Sequence, residues 1–194
     1  MNEFLAVIVA FAATLDELGI PYAIVGSVAS SAHGEQRATA DADFVVDLND
    51  DQAVALASKL GDSHYIDLQS IRRAIAHSRS FNVIELATMF KLDLYVVSGR
   101  PKEMRRLANA RTTQVSAGVN LLVRIASPED TVVSKLRWFR RGGEVSEKQW
   151  TDVLGVLRVQ RGRLDVDELA RAADEEGVRD LLDRAVAQID EEER

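Results

Sequence analysis

Residues 24–47 read IVGSVASSAHGEQRATADADFVVD, and the expected fold turns on them. The apolar stretch Tyr22–Val25 has the length and composition of a strand, and it stops at Gly26-Ser27. A short helix is expected from about Val28 to His33, closed by Gly34. Asp41 to Leu48 then alternates carboxylate and apolar side chains, the period of a half-buried strand. The stretch therefore predicts strand, turn, helix and strand.

Period-2 alternation puts Asp41 and Asp43 on one face, roughly 7 Å apart along the strand, with Ala42, Phe44 and Val46 facing the core. Two neighbouring acids repel and raise each other's pKa. A divalent cation removes that penalty, and hard carboxylate oxygens suit Mg²⁺ or Mn²⁺. A third acid, Asp93, lies in Lys91-Leu92-Asp93-Leu94-Tyr95-Val96-Val97. Leu92, Leu94 and Val96 fill one face there, and Asp93 shares the other with Lys91 and Tyr95. If the two strands are neighbours, Asp41, Asp43 and Asp93 form a metal site able to clamp a triphosphate for in-line displacement. Gly26 lets backbone approach a ligand closely, and a helix N-terminus after it suits phosphate. Ser27 adds a hydroxyl. Arg37 and Thr39 stand where they can steady phosphates or the loop. Each feature alone has a plainer reading, as a solvated strand edge or a helix cap; their order carries the inference.

Outward from this stretch, Phe4, Leu5, Val7, Ile8, Phe11 and Leu15 recur at helical spacing, and Gly19 ends that helix. Asn49-Asp50 caps a helix to about Leu60. A short helix is expected over 67–76, and strands over 81–86 and 91–97 with hairpin spacing. Pro101 starts a helix to about Ala110, and Val119–Ile125 reads as a strand. Ser127-Pro128-Glu129-Asp130 starts a helix to about Arg140, broken at Gly142-Gly143. Helices over about 147–160, 165–174 and 175–190 follow. The expectation is an α+β domain over residues 1–126, a mixed sheet flanked by helices, and a helical C-terminal part over 127–194.

Composition sets the outer bounds. With 194 residues, 46% hydrophobic and 28% charged, the chain can bury an ordinary core. It has no cysteine, which excludes disulfides and thiolate metal sites. The apolar N-terminal run has no basic residue before it and is interrupted by Asp16 and Glu17, so neither a signal peptide nor a membrane span is expected. The chain reads as cytoplasmic. The net charge of -7 argues against a non-specific nucleic-acid binder, but it is concentrated toward the C-terminus, and the near-neutral remainder leaves nucleic acid open as a substrate.

Gly26-Ser27, Gly34, Arg37, Thr39, Asp41, Asp43 and, later, Asp93 together resemble the signature of the nucleotidyltransferase (DNA polymerase beta-like) superfamily. The spelling G-x-x-R-x-T-x-D-x-D, here GEQRATADAD, is most similar to its small AbiEii toxin-like branch. The resemblance implies a nucleotidyltransferase-like fold and Mg²⁺-dependent transfer of an NMP group from an NTP to a hydroxyl on RNA, protein or a small molecule. It implies that Asp41 and Asp43 bind metal and nucleotide, and that Asp93 helps activate the acceptor. Lys135 and Asp152, in the later helices, resemble the branch's helical lysine and aspartate motifs, which implies nucleotide contact and support. A toxin role with an antitoxin partner would follow from the same branch. Lys91 matches the branch's K-x-D spelling. The nearest basic residues after Asp93 are Arg100 and Lys102, a departure that keeps a non-catalytic nucleotide-binding module as the alternative.

Other features have simpler readings. His33, His64 and His77 lack ligand spacing. Lys135, Arg137, Arg140 and Arg141 read as a solvated helix face with Trp138 and Phe139 packed inward, rather than as a phosphate-binding patch. Trp150 reads as core.

Overall fold

The structure, a computed structural model, describes residues 3–97, 99–116 and 119–192. The chain forms two compact units. The first takes Met1–Val25 and Thr39–Ala126, the second Gly26–Ala38 and Ser127–Arg194.

The first unit is built on a mixed seven-stranded sheet. Its strands are β1 (Tyr22–Val25), β2 (Asp41–Val46), β3 (His64–Tyr65), β4 (Ser80–Glu85), β5 (Lys91–Val96), β6 (Arg111–Ser116) and β7 (Val119–Ile125), in spatial order β3-β4-β5-β2-β1-β7-β6. β2 runs parallel to β5 and antiparallel to β1, and β4 and β5 form the expected hairpin. The α-helices described in this unit are α1 (Glu3–Glu17), α3 (Asp50–Leu60), α4 (Leu68–His77) and α5 (Pro101–Asn109).

Alternation along the strands decides what is buried. Ala42, Phe44, Leu92 and Leu94 are completely buried, as are Ile8 and Leu15 of α1. Phe11 meets the Phe44 ring edge-on at 5.2 Å, and Tyr22 lies 6.1 Å from it. Burying each such side chain contributes roughly 1.5–3 kcal/mol, so α1 is held to this face of the sheet mainly by its apolar stripe. The opposite face carries the acidic side chains. α5 covers part of it through Leu107 and Met104, which pack with Ala23, Val45 and Val97.

α1 ends with Gly19 at φ +61°, a conformation that lets Ile20 N–H bond back to Leu15. Asn49 and Gln52 form a reciprocal capping box on α3. β2 stops at Val46 rather than Leu48. Two strands were not anticipated. β3 is two residues long, and β6 (Arg111–Ser116) has no apolar alternation, being held by pairing with β7.

The second unit is helical: α2 (Gly26–His33), α6 (Pro128–Arg141), α7 (Glu147–Val159), α8 (Val166–Glu175) and α9 (Arg179–Glu192). Val132, Leu136, Val153, Val156, Ala173 and Ala185 centre its core. α2 begins at Gly26, two residues before the expected start. α9 begins at Arg179, after a turn containing Gly177 at φ +67°. Gly34 approaches α7 so closely that a Cβ there would lie 2.8 Å from the backbone of Gly155 and Val156. Trp138 departs from expectation: it is 47% exposed, with the Arg141 guanidinium 5.5 Å above its ring, whereas Phe139 is buried. Among the described residues no helix is long and apolar enough to cross a membrane.

Candidate active site

In the first unit, strand pairing brings three carboxylates to one patch of the sheet. Asp43 on β2 lies directly beside Asp93 on β5, and Asp41 lies beside Lys91. Paired positions on adjacent strands point to the same side, so Asp41, Asp43, Lys91 and Asp93 share a face. The step from Asp43 to Asp93 is one inter-strand spacing, about 4.8 Å. Val25, the last residue of β1, lies on the other side of Asp43.

Each acid is held differently. The Thr39 hydroxyl donates to Asp41 Oδ1 at 2.9 Å, with the Asp41 backbone carbonyl at 3.0 Å. Asp93, 13% exposed at its side chain, has both oxygens engaged. Lys91 Nζ lies 2.6 Å from Oδ2, and the Asn82 amide donates to Oδ1. The hydrogen bond to Asp93, and the charges of Asp93, Asp41 and Asp43, hold the Lys91 ammonium above its usual pKa against a partial loss of solvent. Burial, reinforced by the charges of Asp43 and Asp93, raises the Tyr95 phenol.

The donor set is that expected for a divalent cation. Its chemistry fits: three hard oxygen donors on one face, within one strand spacing and one two-residue repeat of each other. Among the described residues no three such side chains are already drawn together as a finished coordination shell. Asp41 is turned to Thr39, and Asp93 to Lys91 and Asn82.

The second unit gathers the other expected residues. Gly26 has φ +65° at the first position of α2, a backbone conformation that favours glycine. Ser27 is buried, and its hydroxyl accepts a 2.8 Å hydrogen bond from Arg37 Nη2. Arg37 Nε bonds Asp152 Oδ1 at 3.3 Å, and Lys135 Nζ bonds Asp152 Oδ2 at 2.6 Å. Ser27, Arg37, Asp152 and Lys135 thus form one network, with the Lys135 and Asp152 side chains 6% and 8% exposed. A phosphate reaching Arg37 or Lys135 would compete with Asp152. Of the remaining basic residues of α6, Arg137 pairs with Glu176 and Arg140 with Glu144 and Asp180, while Arg141 stacks on Trp138. The expected solvated face with both aromatics packed inward is met only in part: Lys135 is buried and Trp138 is exposed, while Phe139 packs inward and Arg141 is exposed.

Asn82 is the site residue that the sequence reading missed. The signal was present in the hairpin: strands folded about the 86–90 turn put position 82 opposite 93.

The architecture, a mixed sheet flanked by helices, is consistent with a nucleotidyltransferase-like fold. Nine solved chains match it. One is an antigenic nucleotidyltransferase-like protein from Paracoccidioides brasiliensis, 22% identical, covering 96% of this chain and 93% of that one at a TM-score of 0.56. Another is the antibiotic-resistance factor ANT(2'')-Ia, 16% identical, covering 97% and 96% at a TM-score of 0.54. At these identities the likeness is one of fold. No family model and no curated protein sequence matches the chain.

Proposed function

We propose that the protein is a nucleotidyltransferase that moves an NMP group from an NTP to an acceptor hydroxyl. The observation that carries this reading is the register of β2 and β5, which sets Asp43 beside Asp93 with Asp41 on the same face. In the proposed reaction the acceptor oxygen attacks the α-phosphorus, the bond to the bridging oxygen breaks and pyrophosphate leaves. The hydroxyl proton passes to the Asp93 carboxylate. Asp41, Asp43 and Asp93 would hold Mg²⁺ or Mn²⁺, which when bound supplies charge neutralisation for the triphosphate. Thr39 fixes the Asp41 carboxylate through its 2.9 Å hydrogen bond.

Gly26, Ser27, Arg37, Lys135 and Asp152 are proposed to serve nucleotide binding, with Asp152 orienting the two cations. The likeness in fold to nucleotidyltransferase-like proteins and the GEQRATADAD spelling support the assignment. The acceptor classes are those of the sequence reading: RNA, protein or small molecule.

Incubating the protein with α-labelled NTPs, Mg²⁺ and cell extract tests the reading and identifies the acceptor by what becomes labelled. Asp43→Ala should abolish labelling and pyrophosphate release. Full activity in that variant would sink the assignment.

A further inference from the structure

Asp93 stands in the middle of a row of three side chains that crosses three adjacent strands: Asn82 on β4, Asp93 on β5 and Asp43 on β2. On one side it faces a carboxylate that repels it. On the other it faces a neutral amide that donates to its Oδ1. An ionised carboxylate only accepts hydrogen bonds, so the amide must present its NH₂ group. The other oxygen, Oδ2, is held by Lys91 at 2.6 Å.

These two partners differ in kind. Lys91 carries a charge on a flexible four-carbon stem, its side chain 46% exposed. A divalent cation arriving at Asp93 repels it and replaces it. Asn82 is short, uncharged and fixed to a neighbouring strand. An incoming cation does not repel it, and its hydrogen bond leaves Oδ2 as the available oxygen. The neighbouring positions of β4 on this face do not supply the same contact: Ile84 has no side-chain donor, and Ser80 pairs with Tyr95, one repeat away.

We propose that Asn82 is a positioning residue: it fixes the rotation of the Asp93 carboxylate so that Oδ2 alone turns between Lys91 and an incoming divalent cation. The inference rests on the role given to Asp93 above. Removing a group that orients a metal-binding carboxylate typically lowers metal affinity or activity 10- to 100-fold. Asn82 is exposed, so its replacement spares the core.

The test uses the full chain with Mn²⁺ as the probe. Mn²⁺ binding is followed by electron paramagnetic resonance with a non-hydrolysable NTP analogue present, and pyrophosphate release is measured in parallel. Asn82→Ala should weaken Mn²⁺ binding and lower kcat roughly tenfold or more, with KM for NTP nearly unchanged. Asn82→Leu, of similar size but without the donor, should lose as much as Asn82→Ala. Both should unfold within a few degrees of the parent. Parental Mn²⁺ affinity and kcat in Asn82→Ala or Asn82→Leu overturn the proposal. Asp93→Asn separates the two levels. If it is inactive while Asn82→Ala is parental, only the role of Asn82 falls. If Asp93→Asn itself keeps full Mn²⁺ binding and transfer, the reading of the site falls with it.

Discussion

Replacing Asp152 with alanine would leave the Lys135 ammonium buried without its carboxylate. Lys135 is 5% exposed, and Asp152 Oδ2 lies 2.6 Å from its Nζ. Breaking a buried pair by removing one partner costs about 3–5 kcal/mol, because the remaining charge stays desolvated. Lys135→Met should cost less, about 1–3 kcal/mol, since Asp152 keeps Arg37 at 3.3 Å. The double variant Lys135→Met/Asp152→Leu removes both buried charges and leaves Arg37, one-third exposed, within reach of water. Apolar replacement of a buried pair is often close to neutral, so the double variant should be more stable than Asp152→Ala. The assay is urea unfolding followed by tryptophan fluorescence. Trp138 and Trp150 are the chain's two tryptophans, and both lie in the second unit. With a denaturant slope of about 1.5 kcal/mol per molar, Asp152→Ala should lower the midpoint by roughly 2–3 M. A double variant as destabilised as the sum of Asp152→Ala and Lys135→Met would refute the argument, because it would mean the groups act independently.

Two further outcomes follow from the same contacts. Burial, with the nearby Asp16 charge adding to it, pushes the Tyr22 phenol up to about 12. The neutral form is favoured in the folded state, so this contribution to stability is complete below the unfolded value of about 10 and is lost as pH rises from about 10 to about 12. Ultraviolet titration should show a tyrosine ionising near pH 12, and Tyr22→Phe should remove that step. Gly34→Ala would press a methyl group to 2.8 Å from the Gly155 and Val156 backbone, which can yield only by moving α7. A loss of about 1–3 kcal/mol or more in second-unit stability is expected by tryptophan fluorescence, and an unchanged midpoint would contradict the close approach.

Much of the site could be read from local periodicity. The strand beginning at Asp41, the helix starts at Asn49 and Ser127, and the common face of Asp41 and Asp43 all follow from spacings of two, three or four residues. What could not be read depended on pairing between distant segments. That β5 lies parallel to β2, so that Asp43 meets Asp93, is a property of sheet order, and nothing in the spelling of either strand encodes it. β3 is too short to carry a period. β6 has the sequence RTTQVS, whose polar composition hides a strand paired with β7. Arg37 was legible as a residue suited to steadying phosphates or the loop, but its hydrogen bonds to Ser27 and Asp152 were not, because Asp152 is 115 residues away.

That long separation has a consequence for the protein as it is being made. α2 and the residues after it, as far as Ala38, belong with helices that the ribosome has yet to produce. The partners of His33, Gly34 and Arg37 are Gln160, Gly155 and Asp152. At synthesis rates of about 5–20 residues per second, roughly 5–20 s separate the emergence of this segment from that of α7. In that interval the apolar side of α2 and the Arg37 guanidinium lack the groups that satisfy them in the finished protein. A nascent chain stalled near Ala126 would present this segment to protease or chaperone while the strands around Asp41, Asp43 and Asp93 were already available to pair. The order of synthesis thus gives the 26–38 segment a period of vulnerability that the finished fold does not show.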